Sequence, residues 1–229
     1  LINVSQQSYA TPTVGPIPPS VNKFYNTSLK PYSLNLAKAT ELLKAAGWEQ
    51  QEDGWYKRIN GNKQQLTLEV SYRAGSANFE HAAIILQQNA AKVNIPVQVQ
   101  AVEGSMLSKK LKQHEFELFF RSLSGNPFVF NFKPLLHTQF ASIGGLNYTG
   151  FGTPESDRIL DQISSTVNSE AETAQLLKRL QRIMYDEATF ISMYYVQERV
   201  AIHRRFSNTK VSGLKPNYDV SAFTLTAEK

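Results

Sequence analysis

The stretch AKATELLKAAGWEQQEDGWYKRINGNKQQLTLEV, residues 37–70, runs through a helix, a glycine stop, a tight hairpin and an alternating strand with almost no spacer. Ala37, Leu42, Leu43 and Ala46 predict an apolar stripe on a helix over 34–46, with Ser33 able to cap it. Gly47 can leave the last turn with positive φ, and Asp53-Gly54 reads as a hairpin turn. Gly61 marks the next turn. Leu66, Leu68, Val70 and Tyr72 then alternate with Thr67, Glu69, Ser71 and Arg73, the period of a strand with one face buried.

Moving outward, Asn78 can cap a second helix, in which Phe79, Ala83, Leu86, Ala90 and Val93 recur at helical spacing until Asn94 and Pro96 end the pattern. Val97, Val99 and Ala101 give a strand, Ser105 starts a short helix to Gln113, and Phe116 to Ser122 reads as a third, more continuously apolar strand. This order implies crossover connections and parallel neighbouring strands, whose carboxyl ends form the cleft edge in open α/β sheets. Tyr72, Arg73, Ala74 and Gly75 fall at one such edge, and Arg121, Ser122, Leu123 and Ser124 at another.

Residues 122–152 show no clear helix, and a long loop in a compact domain is usually functional or poorly ordered. Thr153-Pro154 starts a helix with Ile159, Leu160, Ile163 and Val167 on its apolar face. Ser169 with Glu172 matches a capping box before the face of Leu176, Leu177, Leu180, Ile183 and Met184. A strand is expected over 190–203, and turns at Ser207-Asn208 and Lys215-Pro216. The proline-rich residues 1–32 are expected to form an extended arm, 33–203 a lobe, and 204–229 a tail.

Composition narrows the function classes. The 229 residues are 41% hydrophobic and 19% charged, an ordinary globular balance, and no apolar run approaches the roughly 18 residues that span a bilayer. Cysteine is absent, which excludes disulfides, thiolate metal sites and a cysteine nucleophile. The net charge of +5 is scattered, with Lys109, Lys110 and Lys112 on one short helix and His203, Arg204 and Arg205 after a strand. No aromatic-interleaved basic stripe is present, so no nucleic-acid contact is expected.

No catalytic constellation emerges either. The histidines at 81, 114, 137 and 203 include no i, i+4 pair and no HExxH, no serine sits in a GxSxG elbow, and Gly144-Gly145 and Gly150-Phe151-Gly152 lack the pattern of a P-loop. Neither a metal nor a cofactor is expected, and the chain is read as a non-enzyme.

The 37–70 stretch together with GPIPP (15–19), NYTGFGTPESDRIL (147–160) and ISMYYVQERVAIH (191–203) resembles the second lobe of the family 5 extracellular solute-binding proteins of ABC importers, over about Pro12 to Phe223. That resemblance implies a mixed α/β fold, a periplasmic-binding-protein type II lobe with an open mixed sheet flanked by helices. It also implies capture of a peptide-like or other small polar solute and delivery to an ABC permease in the membrane, in a periplasmic or cell-surface exported protein. Members of the family are usually much longer, and the start at Leu1 is read as that of a fragment whose N-terminal lobe is missing.

In the family's peptide binders an aspartate four residues before a proline, just past a cleft-facing strand, pairs with the ligand's α-ammonium group. Aligning Pro127 with that proline in FFRSLSGNP puts Leu123 at the aspartate position. The readings left open are a solute without a free amino terminus, a substitute such as Glu103, or a lost site. Arg73 and Arg121 offer guanidinium forks to an anionic group instead. The candidate ligand-binding residues are Tyr72, Arg73, Arg121, Leu123, Ser124, Asn126, His137 and Asn147. A ligand-sensing domain of a bacterial transcription regulator with the same fold is the alternative.

Overall fold

The structure is a computed structural model that describes residues 9–123, 130–165, 169–212 and 217–226. Its centre is a parallel three-stranded sheet of β5 (Leu68–Arg73), flanked by β6 (Val97–Val102) and β7 (Leu118–Phe119). Helix α2 (Ala77–Ala91) connects β5 to β6, and α3 (Gly104–Gln113) connects β6 to β7. Val70 and Tyr72 point to the α2 side, where they pack with Ala83 and Val97. The opposite face of β5 is covered as well: Ser71 is 0% exposed, and Glu69 meets Lys110 of α3 at 3.2 Å. The second face of β5 is therefore polar and partly covered: α3 lies over Glu69 and Ser71, while Thr67 and Arg73 at its ends are exposed.

The 37–70 stretch forms α1 (Leu36–Ala45) and an antiparallel sheet of β2 (Glu49–Gln51), β3 (Gly54–Ile59) and β4 (Asn62–Gln65). Gly47 has φ 81°, and Asn60-Gly61 have φ 51° and 82°, the paired positive values of a two-residue hairpin turn. Asn35, not Ser33, caps α1 by accepting the Lys38 N–H. Along it Leu36, Ala39, Thr40 and Leu43 are half-buried while Ala37, Leu42 and Ala46 are exposed, so the more covered face differs from the expected stripe. Likewise α2 begins after Ser76 without a side-chain cap, ahead of Asn78.

Helices α5 (Pro154–Ser164) and α6 (Glu170–Glu187) carry both expected capping boxes, at Thr153/Ser156 and Ser169/Glu172. One side of α6 packs Leu180 and Met184 against Ile159, Leu160, Phe151 and Leu136. The other packs Leu177 beneath Val14, Ile17, Tyr25 and Leu29 from the N-terminal segment. Val167 lies outside the described residues.

Three expectations need correction. The strand expected over 190–203 is, among the described residues, only β8 (Tyr194–Val196), paired antiparallel with the equally short β1 (Ala10–Pro12), because a strand extends only as far as its ladder partner. Ladder pairing over 116–122 is confined to β7, extended by the Phe120 N–H to Ser71 O bond at 3.0 Å. The loop after it does hold helix: α4 (Lys133–Leu136) and a 3₁₀ turn, Thr138–Phe140, too short to show a periodicity. In the tail, β9 (Phe206–Ser207) pairs with β10 (Thr224–Leu225), and Asn208 takes φ 54° at the expected turn. Lys215-Pro216 lies outside the described residues.

Candidate functional site

Arg73 is the last residue of β5, and Arg121 follows the end of β7 by two residues, both at the carboxyl ends of the parallel strands. Both side chains lie on the α3 side, Arg73 against Gly104 and Arg121 over Tyr148, which packs with Leu107 and Leu111 of α3. Arg73 is exposed and lies across the start of α3, where a Cβ on Gly104 would come within 3.1 Å of its Nε. Arg121 is exposed too, its Cζ 5.3 Å from the centre of the Tyr148 ring. An aromatic face beneath a guanidinium holds the fork in place while leaving its N–H groups outward.

Leu123 follows, 43% exposed, at the edge where the family resemblance expects an aspartate. Glu103 faces the same end of the sheet, but its Oε2 takes the N–H groups of Ser105 and Met106 and the Ser105 hydroxyl as the N-cap of α3. Those bonds, the Ser105 hydroxyl foremost, hold its carboxyl below the usual glutamate value. Glu103 is thus a helix cap.

The remaining candidates lie elsewhere. Tyr72 is 5% exposed within the apolar cluster under α2, and burial pushes its phenol up. His137 is buried in a clasp. Its Nδ1 accepts the Gln139 N–H at 3.1 Å and lies 3.5 Å from Asp157 Oδ1, while Nε2 lies 3.5 Å from Asp161 Oδ1. Lys133 closes the group on Asp161 at 2.6 Å and holds that carboxyl below its ordinary range. Asn147 is fully buried and donates to the carbonyls of His137 and Phe151, which fixes the loop against α5. Ser124 and Asn126 lie outside the described residues. Arg73, Arg121 and Leu123 are therefore exposed at or beyond the carboxyl ends of β5 and β7, while Tyr72, His137 and Asn147 are buried.

Sequence reasoning missed Tyr148 as the support of Arg121, although its place in the NYTG segment marks it. It also missed an open depression of about 520 Å³ at the opposite, amino ends of the strands, lined by Glu69, Gln98, Lys110, Glu115 and Glu117 among others. Among the described residues no group of three or more histidine, cysteine, aspartate or glutamate side chains is placed to hold a metal, and no helix is long and apolar enough to cross a membrane.

The model of the bacterial extracellular solute-binding proteins, family 5 middle, matches residues 1–140, more than half of the chain. The chain belongs to that family. The family 5 chain is 28% identical over 212 residues to the glutathione-binding protein GsiB of Escherichia coli (strain K12), covering 90% of this chain and 38% of that protein. It spans the same share of the GsiB of Shigella flexneri serotype 5b. Among solved structures, the oligopeptide-binding protein from Thermus thermophilus, complexed with a pentapeptide, superposes with a TM-score of 0.77 at 19% identity, over 95% of this chain and 38% of that one. The oligopeptide-binding protein AppA from Bacillus subtilis, in complex with a nonapeptide, gives 0.75 at 17% identity, over 99% and 44%. The fold of the family 5 chain is accordingly a mixed α/β, type II periplasmic-binding-protein architecture.

Proposed function

We propose that this chain is one wall of a two-lobe, hinge-closing receptor that captures a peptide-like or other small polar solute without transforming it and hands it to an ABC permease. In this reading 33–203 is the second lobe, 1–32 an arm leading into it, and 204–229 a tail returning toward a first lobe. The protein acts outside the cytoplasm, in the periplasm or at the cell surface. The observation that carries the reading is the family match combined with an exposed guanidinium edge at the carboxyl ends of the parallel strands, where open α/β sheets bind ligands. The chain spans 38% of the GsiB proteins it matches, which agrees with a lobe acting beside a second one.

Closure of two lobes buries most of a small ligand, so a single wall retains little of the contact. The test is a calorimetric screen of short peptides against this chain alone and joined to a first lobe. Saturable binding of the two-lobed form, with the single lobe far weaker, is the expected result. Micromolar affinity of this chain alone, about 8 kcal/mol, would mean that the site is complete here and the half-site reading is wrong.

A further inference from the structure

We propose that the face shared by α3 and the turn at 142–146 rests on an anionic lipid surface, where Lys109 and Lys112 meet lipid phosphates and Ile143 enters the headgroup layer. By helical spacing Ser105, Ser108, Lys109 and Lys112 share one side of α3. All four are exposed, and with Gln113, Ile143 and Gly144 they line an open depression of about 400 Å³. The turn is fixed beside them, because the Gly144 N–H donates to the Lys112 carbonyl at 2.8 Å. Its outward side is apolar: Ile143 is 77% exposed and Leu146 43%.

The charge on this side of α3 is uncompensated. Among the described residues neither Lys109 nor Lys112 has a carboxylate within ion-pair distance, whereas Lys110, on another side of the helix, is held by Glu69 at 3.2 Å. No aspartate or glutamate occurs between Glu117 and Glu155, so the turn brings no acid to the lysines. Glu103 is taken up as the cap of α3, and Glu115 and Glu117 line the other depression, with Lys110. Exposed lysines beside an outward aliphatic side chain suit a peripheral membrane contact, in which the cations stay at the phosphates while the apolar group goes deeper. Two features favour a lipid layer over a folded acidic partner. Lysine ammonium groups are point charges that accept any arrangement of phosphates, and Ile143 offers a side chain to insert, not a pocket to receive a partner's anchor.

The test is co-sedimentation of this chain, at low ionic strength, with sucrose-loaded vesicles of phosphatidylcholine alone or mixed with an equal part of phosphatidylserine. Binding to the mixed vesicles with little to phosphatidylcholine is expected, and it should weaken as salt is added. Lys109→Gln and Lys112→Gln should each reduce that binding about fivefold, and Ile143→Ser should reduce it as well. Lys44→Gln, which removes one exposed charge from α1, should leave it nearly unchanged. Thermal melts matching the parent establish that these surface variants are folded. Equal binding to both kinds of vesicle, or to neither, would overturn the proposal. A loss in Lys44→Gln as large as that in Lys109→Gln would overturn it too, since net charge alone would then account for the attraction. Binding to soluble poly-L-glutamate with none to vesicles would overturn it in favour of an acidic protein partner. The calorimetric screen of the two-lobed form reports separately on solute capture.

Discussion

Trp55 donates its indole N–H to the backbone carbonyl of Val93 at 2.6 Å, joining the hairpin of β2, β3 and β4 to the end of α2. The ring is fully buried, and the neighbouring Gly54, at φ 151°, brings the turn backbone close to Asn94. Trp55→Phe should keep most of the apolar burial but leave a buried carbonyl without its donor, at a cost of about 1–3 kcal/mol. Trp55→Ala adds a cavity and should cost about 3–5 kcal/mol. Urea unfolding followed by circular dichroism measures both; equal stabilities for the two variants would show that the hairpin is not anchored through this residue.

Gln181 ties the N-terminal segment to α6. It is 1% exposed, its Oε1 accepts the Asn26 N–H at 3.2 Å, and its Nε2 donates to the carbonyls of Phe24 and Leu177 at 2.8 and 2.9 Å. Gln181→Leu keeps the volume and removes every one of these partners, so about 1–3 kcal/mol of local stability should be lost. Because the loss is local, trypsin should cut at Lys23 faster than in the parent protein, with little change elsewhere. Unchanged cleavage there would mean that the apolar contacts of Ile17, Tyr25 and Leu29 hold the segment by themselves.

The β5, α2, β6, α3, β7 succession was legible because each element is amphipathic over several residues and bounded by glycine, asparagine or proline. Caps were less so: Ser33 and Asn35 are both competent, and only the bond that Asn35 accepts from the Lys38 N–H chooses between them. The strand over 190–203 could not be sized from its own residues, since pairing length is set by Ala10–Pro12, far away in sequence. At the site, Arg73 and Arg121 were legible as strand-end residues. His137 was read as a loop residue open to ligand because its burial depends on Asp157 and Asp161 of α5, which no local pattern around His137 announces.

Glu103 makes the stability of the strand-end region depend on pH. Its folded-state pKa lies below its unfolded value, chiefly through the Ser105 hydroxyl and then the Met106 and Ser105 N–H groups. A depressed carboxyl contributes stability that is present above the unfolded value and lost as pH falls through the folded one. Melting temperatures taken downward from neutral pH should therefore fall more steeply for the parent than for Glu103→Gln once pH drops below about 4.3. Parallel profiles for the two proteins would remove Glu103 from the acid response.

Gly145 stands where no other residue fits. A Cβ there would overlap the Phe140 carbonyl oxygen and lie 2.8 Å from its carbon, both backbone atoms of the turn that precedes Asn147. Gly145→Ala must open this turn, weakening the Asn147 N–H to Phe140 O bond at 3.1 Å, with an expected cost of about 1–3 kcal/mol. Gly144→Ala is the paired control, since no atom lies within 4 Å of its Cβ position and only its φ of 87° opposes the change. The clash argument requires Gly145→Ala to be the more damaging of the two in thermal unfolding, and the reverse order would refute it.

Tyr195 on β8 offers a probe of the join between β8 and the segment after β1. Burial pushes its phenol up to about 12, with a smaller contribution from nearby Tyr25, and its hydroxyl donates to the Pro16 carbonyl. A phenol whose folded-state pKa is raised contributes stability that is fully present below its unfolded value of about 10 and lost as pH rises through the folded value. Ultraviolet difference titration should show one tyrosine ionising after the others, and that last step should vanish in Tyr195→Phe. The same substitution leaves the Pro16 carbonyl without its donor, so at neutral pH it should cost about 1–2 kcal/mol, a deficit that shrinks as alkaline titration removes the advantage of the parent. If the late step persists in Tyr195→Phe, another phenol is the buried one and the Pro16 contact does not hold the strand pair together.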